Sequence, residues 1–511
     1  MSTEVNTERT KKQALGPYGK LGQTLNELDD RLGVAKGGRT FLDKIFPDHW
    51  SFMLGEIALY SFFVLLITGI FLCFFYTPSQ ALTIYHGSYA PLVGQRVSEA
   101  FASTVNLSFQ VRTGLLMRQM HHWACDIFVG AIVVHMARVF FTGAFRKPRE
   151  LNWTIGVTLL TLAIVNGFIG YSLPDDLVAG TGIRIAYSII LSIPLLGTYV
   201  AFFLFGGNFP GTDIIQRFFF IHVLIIPLII LGLVGAHLFL LVRQKHTQFP
   251  GEGRTEHNVV GSPMFPVFIA KTNGFFFIVA GVTALLGAFA QINPIWQFGP
   301  YVADHISYAV QPDWYMGWLD GALRVFPSWE TVVFGHTIPW EVTIPSVIFP
   351  GIIFNICYVW PALERRYTKD YALHNLLDRP RDRPKRTAAG VAMLALLGMT
   401  FIASATDVIA HFLDLPLNDV LVAMRILIIA SPFVAYPIAY VICKELQGFA
   451  NAGKRKTANI VSRTPEGEYV SVSAPHYEDD VHNELEAIPV PKFVVEPEIP
   501  ESPGGVRTVP R

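Results

Sequence analysis

Four histidines stand in two matched pairs on apolar segments of this sequence. His121 and His135 are 14 residues apart, and His222 and His237 are 15 apart. On a helix, these separations return the side chains to within about 60° of one face and place them about 21 Å apart along the axis. The pattern therefore predicts two levels of facing imidazoles, each able to bind one haem iron axially from both sides.

A single histidine of this kind is more often a hydrogen-bonded residue of a helix bundle than a ligand. Ionisable side chains inside a membrane are costly and usually functional, and four at matched levels favour the haem interpretation. His122 directly follows His121 and points about 100° away from it. We expect His122 to serve polar packing or to face solvent.

Four glycines repeat the same spacing on two neighbouring apolar segments. Gly55 and Gly69 are 14 residues apart, and so are Gly156 and Gly170. A flat macrocycle needs helix backbones to come close, and only glycine removes the side chain. Small residues also pack membrane helices without a cofactor, but the shared spacing favours clearance for two haems.

Three arginines stand three to five residues from one of these histidines, near the predicted ends of their helices. They are Arg118, Arg138 and Arg217. A guanidinium in this position can pair with a haem propionate. The alternative is that each side chain extends to the membrane interface.

The elements that carry these residues are predicted membrane helices. The 511 residues are 51% hydrophobic and 15% charged, whereas soluble domains carry about 25% charged residues. A spanning helix needs roughly 20 mainly apolar residues. Eight segments qualify: Ile57–Phe75, Ile127–Phe145, Thr154–Leu173, Phe218–Val242, Thr272–Ala290, Val342–Trp360, Thr387–Thr406 and Ile426–Cys443. The second is expected to begin earlier, near Arg118.

The fold class is therefore an all-α integral membrane protein with eight transmembrane helices. The first four form a four-helix di-haem bundle, and the last four form a further helical domain. We expect a cytoplasmic extension at 1–50, the di-haem domain at 51–250, and a second membrane domain at 251–444 with an outer loop at 291–340. Residues 445–511 are a polar cytoplasmic tail, disordered or bound to a partner.

A ninth stretch, Ile185–Thr212, is also free of charge, and the distribution of positive charge decides whether it spans the membrane. Short cytoplasmic loops are rich in Lys and Arg. With eight spans, every basic connection and both termini fall on the cytoplasmic side, whereas a ninth span would move one basic cluster outside. The stretch is predicted to be a helical pair at the outer interface (185–212), broken at Pro194, Gly197, Gly206 and Gly207.

Some functions and cofactors are not expected. The formal net charge is zero, so no bulk field favours nucleic acid. The four cysteines form no CxxC or CxxCH motif, which argues against a covalent haem c or a cysteine-held cluster. The N-terminal segment lacks the apolar run and cleavage site of a signal peptide.

Five motifs together resemble the cytochrome b family of respiratory and photosynthetic cytochrome bc complexes. They are Arg118-Gln-Met-His121, His135-Met-Ala-Arg138, Gly170-Tyr-Ser-Leu-Pro174, Arg217-Phe-Phe-Phe-Ile-His222 with Pro227, and Pro312-Asp-Trp-Tyr315. The resemblance covers residues 50–445 and implies a quinol:cytochrome c oxidoreductase. The resemblance further implies that one electron of an outer quinol passes to a Rieske iron–sulfur protein. It implies that the other crosses two b haems to an inner quinone, coupled to proton translocation.

The resemblance also implies an outer quinol site. Its catalytic candidates are Asp313, Tyr315 and His336, where Asp313 replaces the glutamate usual in the family. A carboxylate there can accept a quinol proton by general base catalysis. The pocket walls would be Tyr171, Gly182, Pro312 and Trp314.

An inner quinone site is less clearly marked. Lys271 matches a lysine of the family there, but Thr272 stands where an aspartate is usual. His246 is a further candidate proton donor. The resemblance therefore leaves the inner site without its usual carboxylate.

Among the branches of the family, the extended N-terminus, Asp313 and the long tail most resemble the actinobacterial form. That form implies menaquinol as substrate and a bacterial cell membrane as location. The implied partners are a Rieske protein, a cytochrome c subunit, a terminal cytochrome oxidase in a supercomplex, membrane lipid and a second copy in a homodimer.

Two other functions are compatible with parts of the pattern. One is a di-haem b membrane anchor of a quinone-linked dehydrogenase, although such bundles are generally smaller and lack the outer Pro-Asp-Trp-Tyr loop. The other is a haem-free, proton-coupled transporter whose histidines relay protons. A reduced-minus-oxidised spectrum separates the transporter from both haem proteins.

Overall fold

The computed structural model describes residues 41–305, 311–454, 459–463 and 469–473, together with Arg31 and Gly38, and describes side chains as far as residue 448. Within these ranges, eight helices are long and apolar enough to cross a membrane. In chain order, these first to eighth spans are Trp50–Cys73, Gly114–Phe141, Glu150–Ser172, Ile214–Gln244, Met264–Phe289, Trp340–Thr368, Pro384–Ala403 and Leu417–Gly448.

Each of the eight predicted segments overlaps one of these spans, so the predicted fold class is confirmed. The second span begins at Gly114, well before its continuous apolar run. Its first turns contain Arg118, His121 and His122, which lower the local hydropathy without ending the helix. The predicted start near Arg118 therefore lies within one helical turn or so of the observed start at Gly114.

The stretch at 185–212 contains the end of one helix and the whole of another. Leu177–Leu191 and Gly197–Phe205 are separated at Pro194. Gly206 ends the second helix with a φ of +74°, a left-handed conformation that glycine adopts without strain. The structure thus has one helix on each side of Pro194, the first beginning at Leu177, before the predicted stretch. The position of the pair at the membrane interface stays a prediction.

The first four spans share one apolar core. Phe62 of the first span stacks on Phe128 of the second, with ring centroids 5.5 Å apart. Ala163 of the third span and Ile230 of the fourth belong to the same buried cluster. Because lipid is as apolar as these side chains, the bundle is held by close packing rather than by removal of apolar surface from water.

The connections carry short helices and hairpins. Helices lie at Glu99–Phe109, Ile295–Phe298, Gly317–Val325 and Thr406–Leu413, and 3₁₀ turns lie at Ala90–Leu92, Trp314–Met316 and Pro380–Asp382. Antiparallel pairs join Ile45–Phe46 to Ser262–Pro263, Leu82–Ile84 to Arg96–Ser98, and Glu330–Val333 to His336–Pro339. The region from Gly448 onward is a separate unit in which Asn459–Arg463 pairs with Tyr469–Ser473.

Three basic connections meet at one end of the bundle. Arg149, after the second span, donates to the carbonyl oxygens of His374 at 2.7 Å and Lys245 at 2.8 Å. Arg146 forms an ion pair with Asp378 at 3.2 Å. Burial alone would raise the pKa of Asp378, but Arg146 and two neighbouring arginines lower it. These connections therefore share one side of the membrane, as their charge predicts, while the identity of that side stays a prediction.

Candidate functional site: two histidine pairs and a carboxylate

The second and fourth spans bring their histidines together in two pairs. The ring centroids of His121 and His222 are 6.1 Å apart with an interplanar angle of 73°, and those of His135 and His237 are 6.5 Å apart at 71°. Two imidazoles that bind one metal ion from opposite sides, each at ~2 Å, have centroids about 6 Å apart. Both pairs, called here the His121 level and the His135 level, have the separation that axial ligation requires.

Hydrogen bonds determine the tautomers at the His121 level. Nδ1 of His222 lies 3.0 Å from the carbonyl oxygen of Asn166, which can only accept, so Nδ1 carries the hydrogen. Nδ1 of His121 lies 2.9 Å from the Thr68 hydroxyl, which itself donates to the carbonyl of Val64 at 2.7 Å. Both rings thus keep an unprotonated Nε2, the form that binds iron. The donor set fits a bis-histidine haem.

A π-helical turn explains the unequal histidine spacings. His222 lies in the π turn Ile221–Ile225 of the fourth span. Pro227 follows this turn and has no N–H to donate to the carbonyl four residues earlier. A π turn takes up one additional residue. The 15-residue separation between His222 and His237 therefore matches the 14-residue separation on the second span.

The four predicted glycines face the histidine rings. A Cβ atom would lie 3.2 Å from His135 at Gly55, 3.2 Å from His121 at Gly69, 3.9 Å from His237 at Gly156, and 2.6 Å from His222 at Gly170. Their shared spacing predicts that these glycines clear space for the macrocycle itself. In the structure their contacts are with the histidine rings, so the glycines make room for the imidazoles.

Two of the three predicted arginines have guanidinium nitrogens without a partner. Arg118 lines the same cavity as His121 and donates to the carbonyl of Asn293, but its buried Nε has no partner among the described residues. Arg138 lies over the ring of Phe52 at 4.4 Å, and its buried Nη2 is likewise unpaired within the described ranges. Such nitrogens can receive anions such as haem propionates.

Arg217 differs from the other two arginines. Its guanidinium binds Asp213 at 2.9 Å on the same helix and also contacts the carbonyl of Phe203. It is not among the residues that line the cavity of His222. The structure therefore does not bring Arg217 to the histidines, because a nearer carboxylate already neutralises it.

A partly buried carboxylate lies in the cavity of the His121 level. Asp313 accepts hydrogen bonds from Nε2 of His122, at 2.9 and 3.0 Å to its two oxygens, and from the Tyr315 hydroxyl at 2.8 Å. Asp313, Tyr315, His121 and His222 line this one cavity. A single space thus adjoins both His121 and His222 and a group able to accept a proton.

The contact between His122 and Asp313 was missed from the sequence. His122 points away from the histidine pair, and its polar contact is with the carboxylate of the outer motif, a partner that the sequence did not identify. Asp126 lies one turn further along the same helix, and ligand atoms of His122, Asp126 and Asp313 lie within 4.8 Å of one another. Residues four apart share a helix face, so a His-x-x-x-Asp pair inside an apolar segment was the available signal.

The other residues predicted for the outer pocket lie around this cluster. Tyr171 lines the cavity, and a Cβ atom on Gly182 would lie 3.3 Å from its hydroxyl. Burial raises the pKa of Tyr315 well above its usual range. Pro312 immediately precedes Asp313, and Trp314 remains 39% exposed.

His336 does not join the outer cluster. It begins the second strand of the hairpin formed with Glu330–Val333 and is exposed. It is absent from the lining of the cavity that holds Asp313. The residue that completes the Asp313 site is His122 rather than the predicted His336, because the hairpin carries His336 into a separate position.

Near the His135 level, His246 packs edge-on against Phe52 with ring centroids 4.2 Å apart. Its Nδ1 donates to the carbonyl of Thr247 at 2.7 Å. Burial lowers the pKa of His246 to about 4, so the ring is neutral at pH 7. It therefore has one hydrogen, already engaged by the backbone.

The other two predicted inner residues each contact a carboxylate from the region of the first span. Lys271 forms an ion pair with Asp48 at 2.9 Å. The Thr272 hydroxyl donates to Oε2 of Glu56 at 3.0 Å. Neither carboxylate was identified from the sequence.

Comparisons with known proteins agree with this geometry. The family model described as "Cytochrome b(N-terminal)/b6/petB" matches residues 126–300. The "Cytochrome bc1 complex cytochrome b subunit" of Streptomyces coelicolor is 48% identical over 487 residues, which cover 94% of this chain and 88% of the relative. The protein of the same name from Mycobacterium leprae is 46% identical, covering 92% and 87%.

The chain belongs to the cytochrome b subunits of the cytochrome bc1 complex. A solved structure described as "Hyperthermophilic respiratory Complex III" shares the fold, with a TM-score of 0.60, 20% sequence identity, and coverage of 82% of this chain and 99% of that one. The predicted resemblance is thereby confirmed. This cytochrome b is an integral membrane protein that binds haem b and forms part of an oxidoreductase. Its family membership excludes the two alternative functions, a proton-coupled transporter and a membrane anchor of a dehydrogenase.

Proposed function

We propose that this cytochrome b oxidises quinol at the His121 level, on the outer face, and reduces quinone at the His135 level, on the inner face. The observation that carries the proposal is the shared cavity of His121, His222 and Asp313. A quinol bound there would lie beside both a proton acceptor and the ligands of an electron carrier. A haem b at each histidine pair would supply one-electron transfer, giving two haems in one chain.

The protein side chains carry the proton chemistry of quinol oxidation. Asp313 accepts a hydroxyl proton from quinol, because its carboxylate faces the cavity and can act as a general base. His122 and Tyr315 position this carboxylate through their hydrogen bonds. Tyr171 and Gly182 form part of the wall that keeps the quinol ring near Asp313.

The rest of the reaction requires partners. We propose that the first electron of quinol goes to a Rieske iron–sulfur protein and then to a cytochrome c subunit, and that the second crosses both haems. This bifurcation would release protons outside and take them up inside. We propose menaquinol as the substrate because the resemblance to the actinobacterial form implies it, and the similar proteins of Streptomyces coelicolor and Mycobacterium leprae belong to that branch. We further propose a homodimeric complex, surrounded by lipid, that joins a terminal oxidase in a supercomplex.

The proposed orientation places both termini in the cytoplasm of a bacterial cell. Its support is the group of basic connections around Arg149 and Asp378, because short cytoplasmic loops are rich in Lys and Arg. Reporter fusions after Asp378 and in the C-terminal tail should read cytoplasmic, and a fusion at Gly207 should read external. A cytoplasmic signal at Gly207 would contradict this orientation.

The overall function is tested on the purified complex with quinol and cytochrome c. We expect a b-type reduced-minus-oxidised spectrum and quinol-dependent reduction of cytochrome c. A complex that exchanges electrons between a dehydrogenase and quinone, but never reduces cytochrome c, would contradict the proposal. So would a preparation without b-type haem.

A further inference from the structure

The carboxyl group of Glu56 lies beside Thr272, the position at which the proposed inner quinone site lacks the aspartate usual in the family. The Thr272 hydroxyl on the fifth span donates to Oε2 of Glu56, on the first span, at 3.0 Å. The family resemblance leads one to expect an aspartate at position 272. The adjoining helix therefore supplies a carboxyl within hydrogen-bond distance of the residue that replaced the usual one.

Glu56 lies at the depth of the His135 level. It directly follows Gly55, and a Cβ atom on Gly55 would lie 3.2 Å from the His135 ring. Glu56 also lies within the first span and is only partly exposed. An ionisable side chain within a span is costly and is retained mainly where it functions.

The two hydroxyl groups around Glu56 leave one of its oxygens for another partner. Tyr60, one turn along the same helix, donates to Oε2 at 3.2 Å, and Thr272 donates to the same atom. The Tyr60 and Thr272 hydroxyls also contact each other. Oε1 takes part in neither bond, so a protonated carboxyl can accept both hydroxyls through Oε2 and donate through Oε1.

The neighbouring Asp48 is less suited to supply a proton. It pairs with Lys271 at 2.9 Å and contacts the Ser262 hydroxyl. These hydrogen bonds, that of Ser262 first, lower the pKa of Asp48, so it is ionised at neutral pH. Both Asp48 and Lys271 are about half exposed. This pair marks the water-facing edge of the region, and Glu56 is the carboxyl on its membrane side.

The geometry points to Glu56 as the proton-donating carboxyl of the inner quinone site, in place of the aspartate that the family carries on the fifth span. This inference rests on the proposed function. Oε1 of Glu56 binds one carbonyl oxygen of quinone. When the quinone is reduced by two electrons, which a haem b held by His135 and His237 would supply one at a time, that oxygen takes the proton of Glu56, and the second carbonyl oxygen takes a proton from the aqueous side. Quinone becomes quinol, and Glu56 regains its proton from the adjacent aqueous side.

The test follows haem b absorbance after oxidised complex is mixed with quinol and cytochrome c. Glu56→Gln preserves an oxygen that can accept the two hydroxyl hydrogen bonds but removes the transferable proton. We expect haem b to become reduced at a rate within twofold of wild type and to be reoxidised roughly 10²-fold more slowly. Glu150→Gln, which changes a carboxylate paired with Arg365 at the start of the third span, should alter neither phase.

A second variant moves the carboxyl group from position 56 to position 272, which distinguishes loss of proton donation from loss of packing. In the Glu56→Gln background, Thr272→Asp returns a carboxyl to the fifth span and should recover at least tenfold of the lost reoxidation rate. The inference is overturned if Glu56→Gln reoxidises haem b within twofold of wild type, or if Thr272→Asp recovers nothing. Failure of the proposed function itself looks different: wild-type haem b would then not be reduced by quinol at all.

Discussion

The two histidine levels hold similar ligand pairs in different surroundings. Beside the His121 level lies a hydrogen-bonded pair, in which Nε2 of His122 contacts Asp313 at 2.9 Å and both side chains are mostly shielded from solvent. Beside the His135 level lies a guanidinium, that of Arg138, stacked on an aromatic ring. The carboxyl groups of Glu56 and Asp48 belong to the first span and to the segment just before it.

This difference separates the binding of a haem from the reaction that occurs next to it. The geometry of the two histidine pairs is nearly the same, because their ring centroids are 6.1 and 6.5 Å apart. The groups that handle protons are not the same. Asp313 is held by a histidine and a tyrosine, whereas Glu56 is held by two hydroxyls. We infer that these neighbours assign quinol oxidation to one level and quinone reduction to the other.

The largest effect is expected from Asp313→Asn. The amide keeps the size of the side chain but cannot take a proton, so quinol:cytochrome c turnover should fall about 10²-fold or more. Both haems should remain. Turnover is measured on purified complex and normalised to haem b content.

Asp313→Glu is the matched control, because it keeps the carboxylate and adds one methylene. It should retain more activity than the amide variant. Turnover near that of wild type in Asp313→Asn would remove this carboxylate from the mechanism and erase the chemical difference between the two levels.

Two alanine substitutions should separate the levels by their packing. At Gly170 a Cβ would approach His222 to 2.6 Å, but at Gly156 it would remain 3.9 Å from His237. Overpacking typically costs about 1–3 kcal/mol. Gly170→Ala should therefore weaken or distort haem binding at the His121 level, while Gly156→Ala leaves both haem spectra unchanged. Equal effects of the two substitutions would show that this clearance does not distinguish the levels.

His122→Asn should have a smaller effect than loss of the carboxylate. Asparagine still offers a hydrogen-bond donor, but a shorter side chain holds Asp313 less well, and misplacement of a reacting group slows catalysis. We expect turnover to fall about tenfold and the haem b spectrum to persist. Loss of the His121-level haem would instead assign His122 to haem binding.

The smallest effect is expected at His336. Because this side chain is exposed on its hairpin and does not line the Asp313 cavity, His336→Ala should change turnover by less than about twofold, the usual range for a surface substitution. A loss comparable to that of Asp313→Asn would restore His336 as a proton acceptor and make His122 the bystander.

Sequence periodicity and hydropathy predicted those features that are set within a single helix. The histidine levels follow from 3.6 residues per turn, and the eight spans follow from hydropathy and charge. The π turn at Ile221–Ile225 was not predicted, although the extra residue between His222 and His237 is its sequence trace. These features need only local backbone geometry, which the sequence carries directly.

Contacts between distant segments were harder to predict. His122 meets Asp313 across 191 sequence positions, and Glu56 meets Thr272 across 216. Helical periodicity predicts the face of a helix on which a side chain lies, but it does not predict which distant segment packs against that face. The same limit applies to His336, which was grouped with Asp313 because both belong to one connection. Closeness in sequence does not determine how that connection folds.

The most direct test of the two-level account is haem content in four histidine variants. Spectra and potentiometric titration of purified complexes would show which b-type component each variant lacks. His121→Ala and His222→Ala should lose one and the same component, and His135→Ala and His237→Ala should lose the other, because each removes one axial ligand. Loss of the same component in His121→Ala and His237→Ala would contradict the account.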